Sequence, residues 1–228
     1  MVEKPHTLYC IIGRTGSGKD TVAEGLKKTG MKAVCSYATR PKRDNETEGV
    51  EHYFISPEKM SVIRENERIA AYTKIGDVEY CATVAEVMQS DIYVIDPDGL
   101  KNLQIAMKDE LINHKLDICT IYVYTPLIIR NKRIMESGRG KAAINSFLKR
   151  DNDENEQFSQ FETVADYNYL LENTLTEDIL IKNAKAIIED NKKKNAEIID
   201  TINKGVPLLN NIATLTEETT EEHDDHDL

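Results

Sequence analysis

Apolar and polar positions divide the chain into alternating strands and helices. TLYCII (7–12) is a short apolar run that enters a glycine-rich segment, and Thr21 to Lys28 repeats with helical spacing, so the first unit reads strand, loop, helix. DIYVID (91–96) and ICTIYVYT (118–125) are two further buried-strand candidates, with a helical stretch from about Leu100 to His114 between them. YNYLLEN (167–173) is a fourth, and Glu177 to Asn203 again has helical spacing. Strands alternating with helices predict an α/β fold, a parallel sheet covered on both faces. Two segments break the alternation: 36–90, with polar turns and shorter elements, and 126–166, dense in Arg, Lys, Asp and Asn. Each follows a strand end, where open parallel sheets bind ligands.

The glycine-rich segment is GRTGSGKDT, residues 13–21. Gly13 and Gly18 followed by Lys19 give the spacing G-x-x-x-x-G-K of a phosphate-binding loop, in which Arg14, Thr15, Gly16 and Ser17 form the curl. Glycines let backbone N–H groups close around a phosphate, the helix that follows adds a favourable dipole, and Lys19 reaches terminal phosphate oxygens. A ligand-free strand-to-helix turn is the alternative, but the segment follows an apolar strand and opens a helix, as the phosphate loop requires. The next position ordinarily carries a hydroxyl and here is Asp20, with Thr21 after it. A carboxylate there can hold Mg2+ directly or through water, since hard cations prefer oxygen ligands. The expected ligands are therefore a phosphate chain and Mg2+, with Asp20 as the metal residue.

A second segment, SYATRPKRDNETEGVEHYF (36–54), gathers Arg40, Lys42 and Arg43 after the strand-like KAVCS and ends in Tyr53 and Phe54. Two guanidinium forks suit a single phosphate, and a tyrosine hydroxyl can complete the site. Taken alone, a charged surface hairpin reads the same way.

With these residues in hand, the chain resembles the guanylate kinase family. The family pattern S-x-T-T-R-x-x-R-x-x-E-x-x-G-x-x-Y-x-F is met by Ser36, Thr39, Arg40, Arg43, Glu46, Gly49, Tyr53 and Phe54, with one extra residue before Tyr53. GRGKAAINSFLKR (138–150) resembles the family lid, placing Arg139 and Arg150 as its two phosphate-gripping arginines and Arg133 as a third, set two residues further away. EYCAT (79–83) resembles a substrate segment bearing Tyr80, Asp96 resembles an acidic residue after the third core strand, and Asn173 resembles an asparagine near the adenine of the donor. The likeness runs collinearly from about residue 7 to 190.

The resemblance implies ATP-dependent phosphoryl transfer to a nucleoside monophosphate. Lys19, Arg133, Arg139 and Arg150 would act on the migrating group, residues 13–21 and Asn173 would bind ATP, and Ser36, Arg40, Arg43, Tyr53, Tyr80 and Asp96 would bind the acceptor. It also implies a P-loop kinase core of 1–35, 91–125 and 167–204, a monophosphate-binding insertion of 36–90 and a lid of 126–166. The departures bear on the base: Ala70 and Ala82 stand where the family reads guanine with an acidic and a hydroxyl side chain, and Val94 stands where an aspartate is common. The G-K-D sequence also resembles ribose 1,5-bisphosphate phosphokinases, relatives with a different acceptor. Non-catalytic scaffold domains of the same family commonly lose the loop lysine or lid arginines, which this chain keeps.

Composition narrows the rest. A chain of 228 residues that is 40% hydrophobic can bury one sizeable core and leaves room for one small inserted subdomain. The net charge of −11 is concentrated at the C-terminus: residues 217–228 contain seven acidic side chains and no Lys or Arg. The body is thus only mildly acidic, which argues against a general nucleic-acid surface. The acidic tail, 205–228, is expected to be disordered, with His223 and His226 solvated rather than metal-binding. Cys10, Cys35, Cys81 and Cys119 are scattered without metal or redox spacing, so free thiols are expected. Without a membrane-length apolar run or a signal-peptide pattern, the sequence predicts a cytoplasmic protein with nucleotides as its partners, no membrane contact and no stated oligomeric state.

Overall fold

A computed structural model describes residues 4–43, 46–138 and 140–204; Arg139 and the acidic tail 205–228 lie outside the described residues. Contacts divide the chain into two units, Pro5–Ile188 and a second made of Met1–Lys4 with Glu189–Leu228. The described part of the second is helical to Asn203, with Lys194 paired to Asp190 four residues back at 2.7 Å.

In the larger unit, β1 (His6–Ile12) leads through the glycine loop into α1 (Lys19–Lys27). A second, mixed sheet follows, from β2 (Ser36–Ala38), β3 (His52–Phe54), β4 (Ile69–Ile75) and β5 (Val78–Thr83), with α2 (Pro57–Asn66) between β3 and β4. α3 (Val84–Met88), β6 (Ile92–Val94), α4 (Pro97–Ala106), α5 (Lys108–Ile112) and β7 (Leu116–Tyr124) return the chain to the first sheet. α6 (Leu127–Glu136), α7 (Gly140–Asp153) and α8 (Asn155–Val164) precede β8 (Tyr169–Glu172) and α9 (Glu177–Asn203).

The first sheet has the order β6-β1-β7-β8, and every pair in it is parallel. Its central strand is apolar on both sides, and alternation sorts its residues between two cores. Leu8, Cys10 and Ile12 face a cluster with Leu100, Leu103, Phe158 and Phe161, whereas Tyr9 and Ile11 face Val22, Leu26 and Leu180. α9 contributes Leu180, Ala184 and Ile188, one face of a helix at spacings of four. The second sheet, β3-β2-β5-β4, is parallel between β2 and β3 and antiparallel elsewhere. It is fastened to the first by Asn102 Nδ2 donating to Tyr72 O at 2.8 Å and by the Arg68–Glu110 pair.

Two expectations need correction here. The helix expected from Leu100 to His114 is two helices, because Met107, fully buried, leaves helical geometry at φ −97° and ψ 14° and ends α4. The strand expected to reach Asp96 stops at Val94, and Asp96 instead caps α4, its carboxylate accepting the Gly99 N–H at 2.8 Å.

Candidate active site

The loop between β1 and α1 is built from both ends. Gly16 and Gly18 have φ of 74° and 95°, the left-handed region that glycine enters freely. At Gly18 a Cβ would also lie 2.3 Å from Asn173 Nδ2, so no larger residue fits. Asn173 donates to Ser17 O at 2.7 Å and accepts from Arg133 Nη2 at 3.1 Å, while Thr125 Oγ1 donates to the same Ser17 oxygen at 2.8 Å. The end of β7 and the residue after β8 thus hold the loop from beneath.

α6, the α7–α8 junction and α8 grip the loop from the other side. Thr15 N–H donates to Glu154 Oε2 at 2.8 Å, and Thr15 O accepts from Arg130 Nη1 at 3.0 Å. Arg130 is buried and also pairs with Asp151. Arg14 turns away toward α8, where its Nε and Nη2 donate to Glu162 at 2.8 and 2.9 Å. Glu162 carries two loads: burial works against its charge, but Arg14 and the Tyr122 hydroxyl outweigh it and lower its pKa.

Two cavities of about 540 and 810 Å³ adjoin this loop. The smaller lies over the second sheet and meets Ser36, Arg40, His52, Thr73, Tyr80 and Asp96. The larger meets Thr15, Gly16, Thr21, Arg130, Arg133 and Asn173. Lys19, Asp20, Arg43 and Arg150 line both. The boundary between the cavities is therefore formed by three cations and one carboxylate.

The arginines of the smaller cavity are organised by Glu46. Arg40 donates both terminal nitrogens to it at 2.6 Å and its Nε to Tyr80 Oη at 3.2 Å, and Arg43 N–H donates to the same carboxylate at 2.9 Å. Burial opposes the charge on Glu46, but these donors prevail and hold its carboxyl down at about 2. Arg43 has the opposite balance: burial, then Arg40 and, further on, Arg150 lower its pKa more than Glu46 raises it. A half-exposed guanidinium in that position lacks sufficient negative charge, and a phosphate would supply it.

A P-loop that opens onto two cavities, one carrying an arginine cluster on an inserted sheet, agrees with what the comparisons find. A family model described as guanylate kinase matches residues 5–191. The chain belongs to the guanylate kinase family. Membership makes it a phosphotransferase of the P-loop class. Among curated relatives it is 27% identical over 206 residues to a guanylate kinase of Clostridioides difficile, covering 85% of this chain and 92% of that one. It is 29% identical over 126 residues to one of Blochmanniella floridana, covering 52% and 58%. The crystal structure of guanylate kinase from Anaplasma phagocytophilum shares the fold, with a TM-score of 0.57 at 16% identity over 85% of this chain and 88% of that one.

Against the family pattern, the structure relocates several expected residues. Tyr53 is on the wrong face: it pairs across the sheet with Tyr37, the rings stacked 5.2 Å apart, whereas its neighbour His52 lines the smaller cavity. Counted without an insertion, His52 occupies the tyrosine position of G-x-x-Y-x-F and Phe54 its phenylalanine. Ser36 Oγ and His52 Nδ1 share a hydrogen bond of 2.9 Å. Ala70 and Ala82 are fully buried and line neither cavity; Ala71 lines the smaller. The Arg14 side chain is taken by α8, and Asn173, although it borders the larger cavity, engages both amide atoms in holding the loop. Lys19, Asp20, Arg40, Arg43, Tyr80, Asp96, Arg133 and Arg150 all reach a cavity.

Arg130 and Glu154 were not legible in the sequence as site residues, although Glu154 stands four positions after Arg150 on a helical segment. Among the described residues no group of three or more His, Cys, Asp or Glu could hold a metal unaided. Mg2+ commonly binds through one or two carboxylates plus substrate phosphates, and Asp20, 83% exposed at the boundary of both cavities, fits that set. Among the described residues no helix is long and apolar enough to cross a membrane.

Proposed function

We propose that the protein transfers the terminal phosphoryl group of ATP to a nucleoside monophosphate, with ATP in the larger cavity and the acceptor in the smaller. The observation that carries this reading is the shared boundary, where Lys19, Arg43 and Arg150 face both cavities. In-line transfer needs its donor and acceptor oxygens on opposite sides of one group, and cations that face both sides can stabilise the charge that develops between them. Arg43 and Tyr80 hold the acceptor phosphate, Arg40 orients them through its bonds to Glu46 and Tyr80, and His52 stands in place of the expected Tyr53 beside them. Lys19 and the loop N–H groups hold the donor, and Arg150, with Arg139, bears on the migrating group. Asp20 would hold Mg2+, which when bound neutralises phosphate charge.

Of Ala70, Ala71 and Ala82 only Ala71 lines the smaller cavity, where it offers a purine edge no carboxylate and leaves the hydroxyls of Ser36 and Thr73 nearby, and a pocket discriminates strongly only where it hydrogen-bonds. Use of purine monophosphates should therefore be broader or weaker than strict guanine selection. A panel of ribo- and deoxyribonucleoside monophosphates, assayed with ATP and Mg2+, tests both statements. Strong preference for GMP over AMP, dAMP and pyrimidine monophosphates would overturn the base argument, and phosphorylation of a ribose phosphate alone would overturn the choice of acceptor.

A further inference from the structure

We infer that Glu154 is a positioning residue that fixes the Arg150 guanidinium relative to the phosphate loop. This rests on the phosphotransferase reading of the two cavities. Glu154 lies between α7 and α8, is buried and borders the smaller cavity. Its two carboxylate oxygens have separate tasks. Oε2 accepts the Thr15 N–H at the tip of the loop, and Oε1 accepts Arg150 Nε, each at 2.8 Å. One rigid carboxylate therefore sets the distance between the loop backbone and the arginine that faces both cavities.

The choice of nitrogen matters. Arg150 is held through Nε, the inner nitrogen of the fork, and its two terminal nitrogens carry no bond to any described residue. A guanidinium tied at Nε keeps its outer edge free for an oxyanion, whereas a bidentate pair such as Arg40 with Glu46 uses that edge up. The surroundings keep the carboxylate in place: its backbone N–H donates to Arg150 O at 2.9 Å, its carbonyl starts α8, and Arg130 fixes Thr15 from the carbonyl side at 3.0 Å. The loop tip and Arg150 thus form one assembly, so that a phosphate seated in the loop meets an arginine already oriented.

The inference predicts how turnover responds to variants of the whole protein. Glu154→Ala should lower kcat by about 100-fold, the scale for misplacing a reacting group by an ångström, with little change in the KM for ATP. In an Arg150→Ala background the same change should cost far less turnover, the remainder being the loosened Thr15 end of the loop. Additive losses would overturn the inference. Glu154→Gln preserves the volume but supplies a single acceptor oxygen for two N–H groups, so wild-type kcat in that variant would overturn it as well. A readout independent of activity is the Arg150 Nε–H resonance, expected to exchange slowly in the wild type and to be lost to solvent exchange in Glu154→Ala. Rapid exchange in the wild type would overturn the inference whatever the substrate. A wild-type protein inert toward every monophosphate would overturn the kinase reading instead, leaving the resonance to decide the role of Glu154.

Discussion

At the scale of single residues, the site depends on which face of a short strand each side chain takes. β3 has three residues, and alternation sends His52 to the smaller cavity and Tyr53 to the opposite side. Burial and then Arg40 lower the pKa of His52, which disfavours its imidazolium form. His52→Ala should raise the acceptor KM by about tenfold, the worth of one hydrogen bond to a charged group, while Tyr53→Phe leaves it unchanged; steady-state kinetics with the accepted monophosphate separate the two. Equal effects would place the acceptor elsewhere. Glu46 gives a second prediction through pH. Its folded carboxyl lies near 2, below the ordinary 4.5, so its contribution to stability is complete above 4.5 and is lost as pH falls toward 2. Glu46→Ala, which strands the part-buried Arg40 guanidinium, should cost about 3 kcal/mol at neutral pH. Glu46→Gln should flatten the acid limb of a stability-against-pH curve between 4.5 and 2, as measured by urea unfolding.

At the scale of elements, the regular parts of the fold were legible and the irregular parts were not. β1, β7 and β8 are apolar runs with consistent periodicity, and the 27-residue α9 begins and ends where the spacing of its apolar residues does. Periodicity fails where a tertiary contact decides the geometry. Met107 fills the core and breaks a helix that its neighbours would continue, and β6 stops early because Asp96 is needed as a cap. β3 is too short to display alternation, so residue type points to Tyr53 where the position belongs to His52. The loop glycines and the arginines carried their chemistry in their spacing, but Glu154 and Arg130 gain their roles only from distant chain segments that folding brings to Thr15. The α1–α9 contact shows the same dependence on approach. Gly25 faces Ile181, and a Cβ there would lie 2.6 Å from Ile181 Cγ1. Gly25→Ala should therefore destabilise by about 1–3 kcal/mol through overpacking, despite the better helix propensity of alanine, and a lowered thermal midpoint would show it.

At the scale of the whole molecule, one P-loop sheet and one inserted sheet present their ligand sites to a single charged boundary. Lys19, Arg43 and Arg150 against Asp20 leave that boundary positive, but a triphosphate and a monophosphate together bring more negative charge than three side chains balance. Donor and acceptor should then oppose each other when no divalent cation is present, and Asp20 should worsen the opposition by adding its own charge. With Mg2+ held by Asp20 and the phosphates, the sign of that contribution reverses. Asp20→Asn should accordingly bind metal-free ATP about two- to fivefold more tightly than the wild type, the range expected for one exposed charge, and turn over more slowly when Mg2+ is supplied. Asp20→Ser should recover turnover if a hydroxyl can take the same coordination. The opposing arrangement has Asp20 serving only the N-terminal dipole of α1, where its side chain extends into solvent. Titration of ATP with and without Mg2+, repeated with the acceptor present, separates these arrangements. A metal dependence identical in the wild type and Asp20→Asn would remove Asp20 from the metal site and leave phosphate oxygens and water as the ligands.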